Sequence, residues 1–317
     1  MDIESPLQEI PAPEGYRLFL KRDDLLHAEI QGNKWRKMRP VLDRVSKTNT
    51  TIISFGGAFS NHIHALASAG KTFQFPTIGI IRGMGTDLSN PTLSHATGCG
   101  MRLLRVSKSD YEQLKKASLQ DVISHFGFSE KGIYELLPEG GDTSEAVESC
   151  SKITEEILQQ LPADYGNKLF ICVPAGTGCT AAGIISGLRM NGKTLIFPAA
   201  PYGIDEQVMS EKLERAGYTQ EFDFQIITSD LRLKFAEMTP ELFSFCESFR
   251  QRTQIQLDPI YTSKMMHQLY LLISQQFFPP DSCIVALHTG GIQGWNGMNT
   301  KIERQNIKAT HEKTNTN

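Results

Sequence analysis

Two lysines in the stretch QGNKWRKM (31–38) have a spacing that suits covalent chemistry. Lys34 and Lys37 are three residues apart, so a helix places them one turn apart on the same side. A lysine buried beside other cations, here Lys37 and Arg36, has a lowered pKa, and its neutral amine can attack a carbonyl carbon. The alternative is a basic surface helix that contacts a nucleic acid or a membrane.

The charge balance of the whole chain argues against that alternative. The 317 residues include 32 Lys and Arg against 35 Asp and Glu, which gives a net charge of −3. Proteins that bind nucleic acid non-specifically are usually basic, because phosphate neutralisation dominates that affinity. The apolar stretches are too short to cross a bilayer, and the acidic first ten residues are unlike a secretory signal. We therefore expect neither a nucleic-acid nor a membrane partner.

The cysteine pattern predicts a reducing, cytoplasmic location. The chain has six cysteines and no Cys-x-x-Cys pair: Cys99, Cys150, Cys172, Cys179, Cys246 and Cys283. This spacing matches neither a zinc motif nor a disulfide framework. Several of these cysteines lie in apolar runs, where a reduced thiol behaves as a small hydrophobic side chain.

A glycine-rich turn, VPAGTGCTAAG (173–183), joins a predicted strand to a helix that is expected to begin near Thr180. Gly176 and Gly178 would leave backbone N–H groups open to a phosphate, and Thr177 and Thr180 add hydroxyl donors. The spacing nearly matches a dinucleotide fingerprint, but the next strand ends without the acidic residue that such a site needs. No Walker lysine follows either. A smaller cofactor with one phosphate fits better, and a tight turn without a ligand is the alternative.

Two further strands are followed by glycine turns. After the first, Ser60, Asn61 and His62 open a helix and could present polar groups to a carboxylate and a ring oxygen, or could form a plain N-cap. The pair His62-x-His64 hints at a metal, but no third ligand follows nearby, so no metal is predicted. The other turn is HTGG at 288–291. Three such turns predict a ligand crevice at the carboxyl ends of parallel strands.

Strand and helix patterns alternate along most of the chain, which predicts an α/β fold with parallel sheets covered by helices on both faces. The number of strands, about eight or more, suits two such domains. One long amphipathic helix is predicted over 109–127, capped by Ser109 or Asp110.

The basic helix near residue 34 has an apolar face and a proline. Trp35, Met38, Leu42 and Val45 recur at helical spacing and are expected to pack that helix against the core. Pro40 predicts either a kink or a late start of the helix.

Six stretches, taken together and in order, resemble the fold-type II pyridoxal-phosphate (PLP) enzymes. The resemblance is to the group of D-cysteine desulfhydrases and 1-aminocyclopropane-1-carboxylate (ACC) deaminases. The stretches are KRDDL (21–25), GNKWRKM (32–38), SFGGAFSNHIHALA (54–67), VPAGTGCTAAG (173–183), DPIYTSK (258–264) and HTGG (288–291).

The resemblance implies two three-layer αβα domains of the tryptophan synthase β-subunit type, with mostly parallel sheets and PLP in the cleft between them. The large domain would comprise residues 1–44 and 143–317, and the small domain residues 45–142. A small amino acid would be the substrate, and a homodimer is the expected assembly.

The resemblance also implies residue roles. The catalytic residues would be Lys34, Ser60 and Tyr261. Lys34 would form the Schiff base with PLP and move the substrate α-proton, Ser60 would lie near the substrate carboxylate and the reacting carbon, and Tyr261 would be an acid or base. The residues expected to bind the cofactor are Lys34, Lys37, Asn61, Gly176, Thr177, Gly178, Thr180, Thr262 and Thr289. Those expected to bind the substrate are Ser60, Asn61, His62 and Tyr261.

Two positions bear on the choice within this group. ACC deaminases carry glutamate after the tyrosine and leucine in HLGG, whereas this chain has Thr262 and Thr289 and so resembles the desulfhydrases. The predicted reaction is β-elimination of D-cysteine to pyruvate, ammonia and hydrogen sulfide, and the expected class names are lyase, deaminase and hydrolase.

ACC deaminase or another small D-amino-acid lyase or racemase is the alternative, and a PLP- or nucleotide-binding protein without lyase activity is a third. His64 and Ala65 replace the Arg-Gln that is common in the group.

Overall fold

The computed structural model of the chain describes residues 3–13, 16–45, 48–163, 168–189, 191–201, 203–228, 233–299 and 302. The strands are β1 (Leu7–Ile10), β2 (Arg17–Lys21), β3 (Thr51–Gly56), β4 (Thr77–Arg82), β5 (Arg102–Val106), β6 (Tyr134–Leu137), β7 (Leu169–Ala175), β8 (Lys193–Pro198), β9 (Phe224–Ile226) and β10 (Cys283–Leu287). The helices are α1 (Asn33–Val45), α2 (Asn61–Phe73), α3 (Pro91–Gly98), α4 (Lys108–Leu114), α5 (Leu119–Phe126), α6 (Ser144–Gln160), α7 (Cys179–Leu188), α8 (Glu206–Arg215), α9 (Pro240–Thr253) and α10 (Thr262–Ser274).

These strands form two sheets. One sheet has six strands in the order β1-β2-β10-β7-β8-β9, and the other has four strands in the order β5-β4-β3-β6. Every neighbouring pair is parallel except β1 and β2. Apolar runs such as those of β7 and β10 are buried, as expected of parallel strands with helices on both faces. The predicted α/β architecture is therefore confirmed.

The two sheets draw on different parts of the chain. All strands of the four-stranded sheet lie between Thr51 and Leu137, inside the predicted small domain. The six-stranded sheet takes β1 and β2 from the N-terminal part and its other strands from residues 169–287. The exact domain boundaries at 44 and 143 stay a prediction.

Helix α1 begins at Asn33 and continues through Pro40, so the late start, one of the two predicted alternatives, is wrong. Proline has no N–H group, which leaves the carbonyl of Arg36 without its donor within the helix. The hydroxyl of Ser149, on α6, donates to that carbonyl at 2.8 Å. The predicted apolar face, including Met38, is buried as expected.

The single helix predicted over 109–127 is wrong, because this segment contains two helices, α4 and α5. The cap of α4 is Ser107 rather than Ser109 or Asp110. A second helix starts because Ser118 and Asp121 form a capping box, in which each side chain accepts the other residue's backbone N–H.

A buried ionic network fixes the middle of α1. The guanidinium of Arg36 donates to Asp23 at 2.7 and 2.8 Å and to Glu156, on α6, at 2.6 and 2.8 Å. Lys21, the last residue of β2, donates to Glu156 at 2.6 Å. Burial favours the neutral acid at Glu156, but the hydrogen bonds from Arg36 and Lys21 outweigh it, so the pKa of Glu156 is lowered. The network joins α1 to α6 and to the six-stranded sheet.

Within the described residues, no helix combines the length and the apolar character that crossing a bilayer requires.

We expect Glu156→Gln to lower the free energy of unfolding by about 3–5 kcal/mol, because the change leaves the buried charge of Lys21 without its partner. Chemical denaturation measures this loss. Glu155→Gln, on the exposed side of the same helix, is the matched control. Equal stability of the two variants would contradict the role assigned to the network.

Candidate active site

The start of α1 is fixed against the loop that follows β10. Gly32 has a φ of +60°, and a Cβ at this position would lie 1.9 Å from the carbonyl oxygen of Thr289. The side-chain oxygen of Gln31 accepts the backbone N–H groups of Gly291 and Ile292, each at 3.1 Å. Only glycine permits this approach, which sets the position of the helix that begins one residue later.

Lys34 is the second residue of α1, and its side chain is partly buried. Burial, and then the ammonium group of Lys37, lower the pKa of the Lys34 amine to about 7. Lys37 is buried, and its Nζ donates to the carbonyl of Gly140 at 3.3 Å. Arg36 was expected to contribute to the low pKa, but its charge is paired with Asp23 and Glu156. A substantial fraction of the Lys34 amine is therefore neutral, and nucleophilic, at neutral pH.

His62 presents an unused acceptor near these lysines. Its Nε2 lies 2.8 Å from the hydroxyl of Ser54, which donates its own proton to the carbonyl of Leu137 at 2.7 Å. Nε2 therefore carries the ring proton. Nδ1 carries a lone pair, is buried, and has no hydrogen-bond partner in the described part of the chain. Burial, and then the charges of Lys34 and Lys37, hold the pKa of His62 well below its usual value, so the ring is neutral.

The predicted phosphate site lies where β7 meets α7. Gly178 takes a φ of +86° at the N-cap, so the first N–H groups of α7 point out of the helix without side-chain obstruction. The hydroxyl of Thr177 is buried and has no hydrogen-bond partner among the described residues. Gly140 lies against Thr177, since a Cβ there would come within 2.9 Å of the threonine methyl group. Because the Lys37 amine donates a hydrogen bond to the carbonyl of Gly140, it places a positive charge near Thr177 and the start of α7.

The side chain of Asn33 connects the two helix starts, because its Nδ2 donates to the hydroxyl of Thr180 at 3.0 Å. Thr180 is buried in the first turn of α7. The glycine turn and the segment that carries Lys34 are thereby held together.

Tyr261 and Thr262 lie at the start of α10, next to the glycine turn. The buried carboxylate of Asp258 accepts the N–H groups of Ile260, Tyr261 and Thr262 at 2.7–3.0 Å, which fixes the turn before α10. The Tyr261 ring lies over Gly176, where a Cβ would be 3.2 Å from a ring carbon. Burial, and then Asp258, raise the pKa of Tyr261 above its usual range, so its hydroxyl stays protonated. Thr262 is fully buried, and its hydroxyl lacks a partner in the described ranges.

The start of α2 contributes polar groups. Ser60 is the N-cap and accepts the N–H of Ile63 at 3.3 Å. Asn61 accepts a hydrogen bond from Gln293 at 3.0 Å, and its amide nitrogen packs so closely on Gly291 that a Cβ there would be 2.4 Å away. The N–H groups of the first two helical residues have no acceptor within the helix and can bind a carboxylate.

The structure thus links the predicted residues through a chain of contacts. Their individual roles stay predictions. Residues that the sequence interpretation missed include Asn33, Gly140, Asp258 and Gln293. Of these four, only Gly140 could have been found from the local sequence. It belongs to the pair Gly140-Gly141, and a glycine turn after a strand is the pattern that marked the other three turns.

A protein-family model described as pyridoxal-phosphate dependent enzyme matches residues 3–290. The chain belongs to this family. PLP is accordingly its cofactor, and the site fits the cofactor's groups. Lys34 offers a partly neutral amine for the aldehyde, and Thr177 and the start of α7 offer unused donors for a phosphate.

Curated relatives of this PLP enzyme carry two kinds of name. This chain is 28% identical to a "Putative 1-aminocyclopropane-1-carboxylate deaminase" of Pyrococcus furiosus, over 94% of this chain and 93% of that protein. It is 26% identical to a "Bifunctional D-cysteine desulfhydrase/1-aminocyclopropane-1-carboxylate deaminase, mitochondrial" of Arabidopsis thaliana, over 89% of this chain and 74% of that protein. Identity to a "D-cysteine desulfhydrase" of Salmonella typhi is 25%, over 90% and 91% of the two chains.

A solved structure described as an ACC deaminase homologue matches this PLP enzyme with a TM-score of 0.82 at 25% identity, over 96% of this chain and 94% of that one. The PLP enzyme is therefore a lyase or deaminase of a family that acts on small amino acids. The hydrolase class expected from the sequence is wrong, because the names of the relatives support lyase and deaminase.

The low pKa of Lys34 predicts the pH dependence of cofactor attachment. Only the neutral amine attacks the PLP aldehyde, so the rate should rise with pH to a midpoint of about 7, against about 10.4 for an ordinary lysine. The visible absorption band of the lysine-bound cofactor reports this rate when apoenzyme is mixed with PLP. Lys37→Gln should move the midpoint upward, and Lys71→Gln, on the exposed end of α2, should not. A wild-type midpoint near that of free lysine would contradict the environment described for Lys34.

A matched glycine pair tests the contact at the start of α1. Gly32 and Gly100 both have positive φ, but a Cβ at Gly100 meets nothing within 4 Å. Gly100→Ala should therefore cost only the backbone strain, about 1–2 kcal/mol. Gly32→Ala should cost more and should also weaken PLP binding, as measured by denaturation and by titration of the visible band. Normal PLP affinity in Gly32→Ala would argue against the contact.

Proposed function

We propose that this PLP enzyme is a D-cysteine desulfhydrase, which converts D-cysteine to pyruvate, ammonia and hydrogen sulfide by β-elimination. The observation that carries the proposal is Thr262, a fully buried residue whose hydroxyl has no partner in the described ranges. By resemblance, this position faces the ring nitrogen of PLP, where ACC deaminases carry glutamate.

A hydroxyl and a carboxylate differ in what they do to a ring nitrogen. A carboxylate favours the protonated ring and so a strong electron sink, whereas the Thr262 hydroxyl favours it less. The nearby carboxylate of Asp258 is committed to three backbone N–H groups. Elimination of a thiolate, which is a good leaving group, needs less electron withdrawal than opening a cyclopropane ring does. The threonine therefore supports elimination of sulfide.

PLP, when bound at Lys34, would supply the sink for the electrons that the α-carbon releases. Lys34 would then act as the base, because an amine with a pKa of about 7 can accept a proton at neutral pH and later return it. Lys37 would hold charge beside the phosphate and keep the Lys34 pKa low.

The remaining cleft residues would hold the substrate. Ser60 and the open N–H groups of α2 would bind the carboxylate. Tyr261 would donate its hydroxyl proton to the departing sulfur, since its raised pKa keeps it protonated. His62, with its free Nδ1 lone pair, would accept a hydrogen bond rather than donate one.

ACC deaminase is the second candidate. The names of the Pyrococcus furiosus relative and of the matched solved structure favour it, and the Arabidopsis thaliana relative combines both activities in its name.

A panel of D- and L-cysteine, D- and L-serine and ACC separates the candidates. We expect sulfide and pyruvate from D-cysteine. Formation of 2-oxobutyrate from ACC without sulfide from D-cysteine would reverse the choice.

The position of Thr262 can be tested by exchange. The double change Thr262→Glu and Thr289→Leu should raise the ratio of kcat/KM for ACC to that for D-cysteine by at least about tenfold, because it installs the stronger electron sink. Thr219→Glu, at an exposed position, adds the same charge outside the cleft and should leave the ratio unchanged. An unchanged ratio in the double variant would remove the basis of the proposal.

A further inference from the structure

A group of candidate metal ligands lies apart from the residues described above. Glu29, His64 and His95 each offer one ligand atom, and these atoms lie within 4.8 Å of one another. The carboxylate of Glu29 is 3.9 Å from Nε2 of His64 and 3.8 Å from Nε2 of His95. Because successive residues of a helix are about 100° apart, His64 projects from a different side of α2 than His62 does.

His64 is buried beside Glu29, with Nε2 nearest the carboxylate. It is only 6% exposed, and its Nδ1 has no hydrogen-bond partner in the part of the chain that the structure describes. A neutral imidazole is the form that coordinates a metal ion.

Cys99, which is outside this group of three, is a candidate fourth donor beside His95. Its Sγ lies 3.4 Å from Nε2 of His95, and these two residues are four apart, on one face at the end of α3. The hydroxyl of Ser68 also contacts Nε2 of His95, at 2.8 Å. Two imidazoles, one thiolate and one carboxylate form a ligand set that suits tetrahedral Zn²⁺.

The geometry needs only side-chain adjustment. Ligand atoms of a tetrahedral zinc site, each about 2.0–2.3 Å from the metal, lie roughly 3.3–3.7 Å apart. The contacts of Glu29 exceed this separation slightly. The rings of His64 and His95 are stacked, with centroids 3.9 Å apart and planes at 10°, so a rotation of the half-buried His95 ring would turn its lone pair toward the shared space. The Glu29 side chain is 56% exposed and can close over the ion.

We propose that Glu29, His64, His95 and Cys99 form a structural Zn²⁺ site, which ties the segment before Lys34 to α2 and α3. His64 stands where this chain departs from the Arg-Gln pattern common in the group, so the site is a property of this chain rather than of the PLP reaction. Glu29 is two residues before Gln31, which holds the loop after β10. Zinc at this site would therefore stabilise the approach to α1.

Tag-free holoenzyme, stripped with a chelator and kept reduced, tests the site by calorimetric titration with Zn²⁺. We expect about one bound ion, a Kd raised at least about tenfold in His95→Gln, and no specific binding in the double variant His64→Gln/His95→Gln. His125→Gln, an exposed histidine on α5, is the matched control and should bind as wild type. Wild-type binding that persists in the double variant, or no binding by wild type, would overturn the proposal.

Two further readouts do not depend on catalysis. Zinc should raise the Tm of the wild-type holoenzyme and leave that of the double variant unchanged, because only a site in the folded protein stabilises it. Titration with Co²⁺ should give a thiolate-to-metal absorption band that Cys99→Ser loses. A band that survives in Cys99→Ser would remove cysteine from the ligand set, and an equal shift of Tm in both proteins would exclude the histidine pair.

Discussion

The close contact between Gly32 and the carbonyl of Thr289 is the constraint on which the site depends. It fixes the first turn of α1 against the loop after β10, at a distance that no side chain other than hydrogen allows. The next turn is fixed by the buried pairs of Arg36 with Asp23 and Glu156. Between these two anchors lies Lys34, so its amine is positioned by backbone contact and by charge rather than by contacts of its own.

The distribution of charge along α1 explains the lowered pKa of Lys34. The charge of Arg36 is paired with the carboxylates of Asp23 and Glu156. In the contacts that the structure describes, Lys37 donates only to a backbone carbonyl, so its positive charge is not compensated by a carboxylate and acts on Lys34. Burial and this single neighbouring charge lower the pKa of Lys34 to about 7. The same two lysines keep His62 neutral. The protonation states on which the predicted roles of Lys34 and His62 depend thus follow from one short helix and its partners.

Local patterns predicted the parallel sheets, a cap at Ser60 or Asn61, which the structure places at Ser60, and the glycine turn at 176–178. They failed where residues far apart in the chain decide the structure. Arg36 and Glu156 are separated by 120 residues, and Asn61 and Gln293 by 232, so periodicity could not reveal either contact. The four residues of β1 include only one buried side chain and give no alternation to detect. Pro40 left two outcomes open because its effect depends on Ser149, which lies on another helix.

The central claim is that Lys34 holds the cofactor covalently at the start of α1. Borohydride reduction of the holoenzyme, followed by proteolysis and mass spectrometry of the peptides, tests it most directly, because reduction makes the lysine–PLP bond permanent. The account predicts one phosphopyridoxyl group, on the peptide that contains Lys34. A modification found on Lys37 or on any lysine outside α1, with Lys34 unmodified, would contradict it.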